Sequence, residues 1–444
     1  MLQEPPYLRL TLASDATPFI ESESRRQFIS QASKGLLAAS VASALPLAAA
    51  EAAAPPPPAG STDVKLPDIK SATDPKTGPL PNPAPPAQRV GYAVVGLGRL
   101  TLGQILPALE QCKHSKLVAL VSGDADKMGK VAQQYGVSSR NCYSYKDYDK
   151  LKDNKEVEVI YIVLPNSLHH EYTIRGAKAG KHILCEKPMA TSVKECEEMI
   201  EACKKANVKL MIAYRIQYEP NNTLVKDMVR KEEYGKVKYL DMTDGQSQGD
   251  PQHWRLKKAL AGGGPLPDAG LYCLNTARFL LGEEPVEVYA TLHENKADPR
   301  FKEVEEGMTF TLRFPNDVVA NCFTSYNSYD TKRYRVYAET GWVGMDPAFP
   351  YKGLKIERAH APEPANIEVR ETPGVGDKDH FATEMDHFSQ CVRQNRQPYT
   401  PGEEGLQDQR IIEALYLSAR ENRPVKLPAV SKKDAFRGPA PEAG

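Results

Sequence analysis

Three side chains in this sequence could handle a proton if the fold brought them together: Lys187, Asp268 and Tyr272. Lys187 follows the short apolar run from His182 to Cys185, separated from it only by Glu186. A lysine at the end of a buried strand stands where α/β sheets keep their ligands, which weighs against a merely solvated charge. Asp268 and Tyr272 are i, i+4 on a predicted helix from Pro267 to Leu281, a spacing that puts their Cβ atoms about 5–6 Å apart on one face. Tyrosine has a reference pKa of about 10, and an ammonium beside it favours the phenolate. Lys187 next to Tyr272 would then form a proton-transfer pair of the kind needed when a hydroxyl-bearing carbon gives up a hydride. Asp268 could accept a substrate hydroxyl or orient Lys187. The structural alternatives are a helix cap for Asp268 and core packing for Tyr272.

The elements that must position these residues alternate strand and helix. Val90 to Val95 is a β-rich run ending in Gly96-Leu97-Gly98-Arg99-Leu100-Thr101. Gly96 suits a tight turn and Gly98 a close backbone approach to a pyrophosphate, with the next helix offering its N-terminus to the charge. Thr101 occupies the third small position and predicts a slightly looser helix–strand junction; Pro107 predicts a kink or an early stop. A second strand, Lys116 to Val121, ends at Ser122 rather than a carboxylate, with Lys127 in the first turn of the following helix. A hydroxyl and a cation suit a 2′-phosphate, so NADP is the expected cofactor; Asp124 reads as the N-cap of a helix stopping at Gly136. Further runs at Glu158–Leu164, His182–Cys185 and Lys209–Ala213, with Pro165-Asn166-Ser167 opening a helix, complete a doubly wound parallel sheet over residues 89–215. Gly96, Ser122, Pro165, Lys187 and Tyr214 all fall at the carboxyl ends of its strands.

Residues 216–430 read differently. Val286–His293, Val304–Phe314, Val318–Asn327 and Arg333–Glu339 are predicted strands with short connections. They predict an α+β domain with a large open, mostly antiparallel sheet, helices on one face and the other face free to pair with a second copy in a dimer or tetramer. Arg215, His253, Trp254 and Arg255 are candidates to line a substrate pocket. Helices are predicted at His380–Gln394 and Gly405–Arg420, and residues 431–444 are expected to be a loose tail.

Acidic and basic residues balance at 57 each, which argues against a nucleic-acid or anionic-membrane partner. The 8 cysteines form no CxxC pair and no zinc spacing, and no HExxH occurs, so no metal is expected. His169 and His170 suit structural roles better than metal binding. Ser24-Arg25-Arg26, the uncharged run from Gly35 to Ala50 and the small-residue exit at Ala48–Ala50 predict a twin-arginine signal over residues 1–50 and export to the periplasm. The proline-rich stretch 51–88 predicts an extended arm.

Gly96-Leu97-Gly98, the segment Leu164-Pro165-Asn166-Ser167-Leu168-His169, Glu186-Lys187-Pro188 and the segment from Gly263 to Tyr272 resemble the Gfo/Idh/MocA oxidoreductases over residues 89–427. Tyr272, where many relatives have His, matches the glucose–fructose branch. The resemblance implies that Lys187 lies beside the nicotinamide, that Asp268 and Tyr272 complete the site, and that Ser122, Lys127 and Tyr145 lie near the adenosine phosphate. It implies further cofactor contacts at Gly96, Gly98, Arg99, Leu100, Pro165, Asn166, His169, Glu186 and Tyr214. The implied activity uses tightly held NADP to oxidise a glucose-like aldose to its lactone and reduce a fructose-like sugar to a polyol. Pro265 and Pro267 depart from the pattern and leave the sugar open. An ordinary NAD(P) sugar dehydrogenase that releases its cofactor, or a non-catalytic sugar-binding protein, are the competing readings.

Overall fold

Every residue of the strand Val90–Val95 (β1) is buried, as a central strand covered on both faces requires. It pairs in parallel with Ser115–Val121 (β2) on one side and Val159–Ile162 (β4) on the other. Cys142–Tyr143 (β3), His182–Glu186 (β5) and Leu210–Ala213 (β6) complete a six-stranded sheet of order β3-β2-β1-β4-β5-β6, all parallel. That is the dinucleotide-binding order, whose switch point lies between β1 and β4. The structure is a computed structural model that describes residues 84–85 and 88–441, apart from 365 and 377. The predicted export signal and nearly all of the proline-rich arm lie outside the described residues.

The second sheet has nine strands: Val237–Ser247 (β7), Glu287–His293 (β8), Gly307–Arg313 (β9), Val319–Ser325 (β10), Asn327–Ala338 (β11), Gly341–Met345 (β12), Ile356–His360 (β13), Val369–Glu371 (β14) and Val425–Lys426 (β15). Their order is β14-β13-β12-β11-β7-β10-β9-β8-β15. Neighbours are antiparallel except β7 and β10, which run in parallel. In β9, Met308, Phe310 and Leu312 are buried while Thr309 is exposed, the alternation read from the sequence. The predicted strand from Val304 starts only at Gly307, because Phe301 and Val304 instead join a small separate core with Leu256 and Tyr326. Long β7 escaped notice because charged and polar residues interrupt its apolar positions.

The helix Leu271–Leu281 is buried along its whole length except at Tyr272. An all-round buried helix needs neighbours on every side. Its Arg278 is fully buried between Glu284, Glu404 and Asp408. Arg437 enters the same cluster, pairing with Glu404 at 2.6 Å and Asp434 at 3.0 Å. Residues 434–437 are therefore docked rather than loose, which corrects the expectation for that part of the tail. All eight cysteines are free thiols, seven of them buried.

Candidate active site

Gly96 has φ +95°, and a Cβ there would lie 2.2 Å from the Val163 carbonyl oxygen, so the turn after β1 admits only glycine. Gly98 is exposed, and a Cβ on it would meet nothing within 4 Å, which leaves open space beside the loop. The Thr101 hydroxyl donates to the Gly96 carbonyl at 2.6 Å in a fully buried position. Thr101 thus ties helix to strand rather than loosening them. The helix starts with a π-turn, Thr101–Ile105, and continues as Leu106–Leu109, so Pro107 sits at the start of the α-helical part and does not stop it.

At the end of β2 the Ser122 hydroxyl accepts from the Asp124 amide at 3.1 Å. Asp124 caps the next helix through the Lys127 amide, as expected, and its carboxylate lies 3.8 Å from the Lys127 ammonium. The Tyr145 ring borders Gly123, where a Cβ would lie 3.1 Å from it. A tight glycine turn, an open approach, helix amides, a hydroxyl, an aromatic and a cation together fit an NAD(P) dinucleotide. Arg99 is exposed and Leu100 half-buried on this loop, and Pro165 lies half-buried after β4. The Asn166 amide donates to the Ala261 carbonyl at 2.8 Å, linking the Rossmann half to the segment before the helix Leu271–Leu281.

Three other expected cofactor contacts turn inward. His169 is fully buried, its ring nitrogens 2.8 Å from the Pro188 carbonyl and 2.9 Å from that of Leu164. It holds the Lys187–Pro188 turn instead of reaching a ligand. Glu186 is buried, accepts from Tyr161 at 2.8 Å, and is pushed up by burial. Tyr214 is buried, facing Asp408 in the Arg278 cluster.

Lys187, Asp268 and Tyr272 do meet. The Lys187 ammonium donates to the Asp268 carboxylate and to its carbonyl, both at 2.9 Å, and sits 4.5 Å from the Tyr272 ring centre. The helical segment carrying Asp268 is a π-turn, Leu266–Gly270, not the α-helix expected from Pro267. The wider turn breaks the i, i+4 alignment. Asp268 consequently faces Arg255 and Tyr326, which donate to its other oxygen at 2.6 and 2.8 Å. The Tyr272 oxygen instead accepts from Arg215 Nε at 3.1 Å.

Arg215 was expected among the substrate residues. It is buried behind Tyr272, donating also to the carbonyls of Phe349 at 2.5 Å and Pro350 at 3.4 Å. Phe349 stacks on Tyr272 at 5.5 Å. A cavity with room for about one water lies between Lys187, Tyr214, Tyr272 and Asn275. Arg255 and Trp254 remain at the cleft, the guanidinium 4.6 Å over the indole.

Charge is distributed unevenly. Burial opposes ionisation of Asp268, but Arg255 and Lys187 more than offset it and hold the carboxyl far below the usual range. Burial likewise opposes the Lys187 charge, yet Asp268 keeps the ammonium above the ordinary lysine range. Asp244, on β7, is pushed up to about 8 by burial, against the pull of Lys332 and Lys187. Sequence reasoning missed Asp244, Tyr326 and Phe349. Asp244 alone left a trace: it follows Leu240 and Met242 at the period of an inward-facing strand.

Residues 90–214 match a family described as an oxidoreductase family with an NAD-binding Rossmann fold, and residues 223–344 match the GFO/IDH/MocA C-terminal domain. The chain belongs to this Gfo/Idh/MocA oxidoreductase family. It is 31% identical over 344 residues to an NADP-dependent D-xylose 1-dehydrogenase of Haloarcula marismortui, covering 76% of this chain and 93% of that protein. Among solved structures it is similar to an aldose–aldose oxidoreductase of Caulobacter crescentus complexed with glycerol, with 44% identity, a TM-score of 0.73, and coverage of 76% of this chain and 100% of that one. A levoglucosan dehydrogenase complexed with NADH and L-sorbose, at 22% identity and a TM-score of 0.68, covering 77% of this chain and 100% of that one, shares the fold.

Proposed function

We propose that this chain is an NADP-dependent sugar oxidoreductase that passes a hydride between two sugars, oxidising an aldose to its lactone and reducing a second sugar to a polyol. The observation that carries the reading is the meeting of Lys187, Asp268, Arg215 and Tyr272 at the carboxyl end of the parallel sheet. The aldose–aldose oxidoreductase, at 44% identity, supports a two-sugar cycle. Ser122 in place of a carboxylate, with Lys127 and Tyr145 nearby, supports NADP, as does the NADP-dependent xylose relative. A bound nicotinamide would accept a hydride from the aldose and return one to the second sugar.

The chain's own residues handle the proton. The C1 hydroxyl gives its proton to the Tyr272 oxygen as the carbon–oxygen double bond of the lactone forms. When the second sugar's carbonyl carbon gains hydride, the same oxygen returns the proton to the new alkoxide. Arg215 can only donate, so it fixes which side of the Tyr272 oxygen faces the sugar. Lys187 and Arg215 both stabilise the phenolate form of that oxygen, which accepts the proton in the first step and is regenerated by the second. Asp268 accepts from three donors, two of them cations, and orients Lys187 rather than acting as a base.

Export to the periplasm is part of the proposal, since a periplasm holds no soluble nicotinamide pool and an enzyme there must retain and reset its cofactor. We also propose a homo-oligomer joined through the open face of the nine-stranded sheet. Purified mature protein, mixed with glucose and fructose or with xylose and no added cofactor, should yield lactone and polyol in equal amounts. Nicotinamide fluorescence should be present before any sugar is added. Product only when NADP is supplied in excess would instead favour a releasing dehydrogenase, the reading that the xylose relative supports.

A further inference from the structure

Charges around the reacting position do not balance. Lys187, Arg215 and Arg255 are three cations, and Asp268 is the single carboxylate held firmly ionised. The other nearby carboxyls are held toward the neutral form by burial: Asp244, Glu186 and Glu384. Lys332 pairs with Asp330, and Glu305, which accepts from the Tyr416 hydroxyl at 2.7 Å, pairs with none of the three cations. Among the described residues, Asp268 is the single carboxylate that pairs with any of these three cations, and it serves two of them. A partly desolvated surplus charge is costly unless a ligand meets it.

The surplus has a definite place. Arg215 is fully engaged behind Tyr272, and Lys187 has two of its three donors on Asp268. Arg255 uses only Nε, on Asp268; its two terminal nitrogens make no hydrogen bond among the described residues. Its side chain is 31% exposed. Trp254 covers the guanidinium, and Asp268 fixes its orientation beside Lys187. An orientated guanidinium with an open edge matches the paired oxygens of a carboxylate.

Resting on the two-sugar reading above, we propose that the aldose oxidised here carries a carboxylate: a hexuronic acid in its pyranose form, its acid group held by Arg255 while C1 faces Lys187 and Tyr272. The bond changes are those of the neutral sugar. Hydride leaves C1 for the nicotinamide, the C1 hydroxyl proton goes to Tyr272, and the product is the lactone of the corresponding diacid. One guanidinium edge matches the single charge of a carboxylate better than a phosphate, which carries about −1.5 to −2.

The test compares D-glucuronate, D-glucose and glucose 6-phosphate on the holoenzyme and on Arg255→Gln and Arg255→Lys, at fixed ionic strength. Glucuronate should exceed glucose in kcat/KM by about tenfold or more, as expected for a hydrogen bond to a charged partner. The ratio should collapse toward one in R255Q and recover in part in R255K, with glucose turnover falling less than glucuronate turnover. A preference for glucose or for the phosphate, or a ratio unchanged in both variants, would overturn the proposal. Binding gives a separate readout: Trp254 fluorescence should be quenched by glucuronate at lower concentration than by glucose, in the parent but not in R255Q. If no sugar is turned over but this binding difference holds, the two-sugar reading fails and the carboxylate site stands; equal quenching by both sugars removes the site.

Discussion

Replacing Tyr272 with Phe removes one oxygen and little else. The ring keeps its stack on Phe349 at 5.5 Å and the Lys187 ammonium 4.5 Å from its centre. The lost oxygen accepts one hydrogen bond, from Arg215 Nε at 3.1 Å, and Arg215 retains both carbonyl partners. Leaving one buried donor unmade costs about 1–3 kcal/mol, and the adjacent water-sized cavity puts the expectation at the lower end. Catalysis should suffer far more. Loss of a positioned acid–base group costs about 10²–10⁴ in rate, or roughly 3–5 kcal/mol of barrier. Stopped-flow absorbance of the reduced nicotinamide, after mixing oxidised holoenzyme with aldose, would give the rate of the first half-reaction directly. Tyr272→Phe should slow that phase by at least about a hundredfold while sugar and cofactor affinities change by less than about threefold. A variant retaining more than about one tenth of the parent rate would refute proton transfer through Tyr272, however well it folds.

Asp268→Asn should lower the melting temperature, and cost about 1–3 kcal/mol rather than the full penalty of a broken buried pair, because Lys187 and Arg255 retain some solvent. Since the Asp268 pKa is depressed, its contribution is present above the unfolded carboxyl value of about 3.9 and is lost only below it, so the acid limb of the parent's pH–rate profile at higher pH should belong to another group. Ser122→Asp should shift binding from NADP toward NAD by about tenfold or more in the ratio of dissociation constants, measured by fluorescence titration of stripped protein. Asp244 has the opposite sign: the native state holds its proton up to about 8, so stability falls as pH rises from about 4 to that value. Asp244→Asn should therefore gain in melting temperature relative to the parent on going from about pH 5 to about pH 9. Gly96→Ala should express poorly or melt well below the parent, given the 2.2 Å approach of a Cβ to the Val163 carbonyl.

Five of the six strands of the parallel sheet were legible because each ends at a residue with a distinct task; Cys142–Tyr143, two residues long, is too short to carry a pattern. Gly96, Ser122, Pro165 and Lys187 follow apolar runs, and a two-sided buried strand can hardly be read otherwise. Lys187 and Tyr272 were legible as chemistry for the same reason: each interrupts a buried element with a polar group. The error at Asp268 came from assuming α-helical spacing through Pro265 and Pro267, where the chain takes a wider turn. The roles of Arg215, His169 and Tyr214 were hidden because position along a strand does not say which way a side chain turns after the strand ends. Tyr326 gave no warning: its partner Asp268 is 58 residues away, and nothing local marks the meeting.

The helix that carries Tyr272 raises a separate physical question, because a helix buried on all sides has no exposed face to fix its rotation. Apolar neighbours such as Phe279 and Leu280 would tolerate a range of angles. Polar partners tolerate far fewer. Asn275 donates to Glu404 at 3.0 Å and to Asp408 at 2.9 Å, and accepts from Gln217 at 2.9 Å; Arg278 adds two contacts to Glu284 and one each to Glu404 and Asp408. Two arginines, Arg278 and Arg437, face four carboxyls, Glu284, Glu404, Asp408 and Asp434, and burial beside Glu404 raises Asp408 to about 6. Such a cluster contributes less stability than well-packed apolar residues would. What it supplies is angle: with Asn275 and Arg278 fixed, Tyr272, less than one turn from Asn275, can point only toward Arg215 and Lys187. The docked segment around Arg437 closes the cluster, so the end of the chain helps to aim a phenol that lies far from it in sequence.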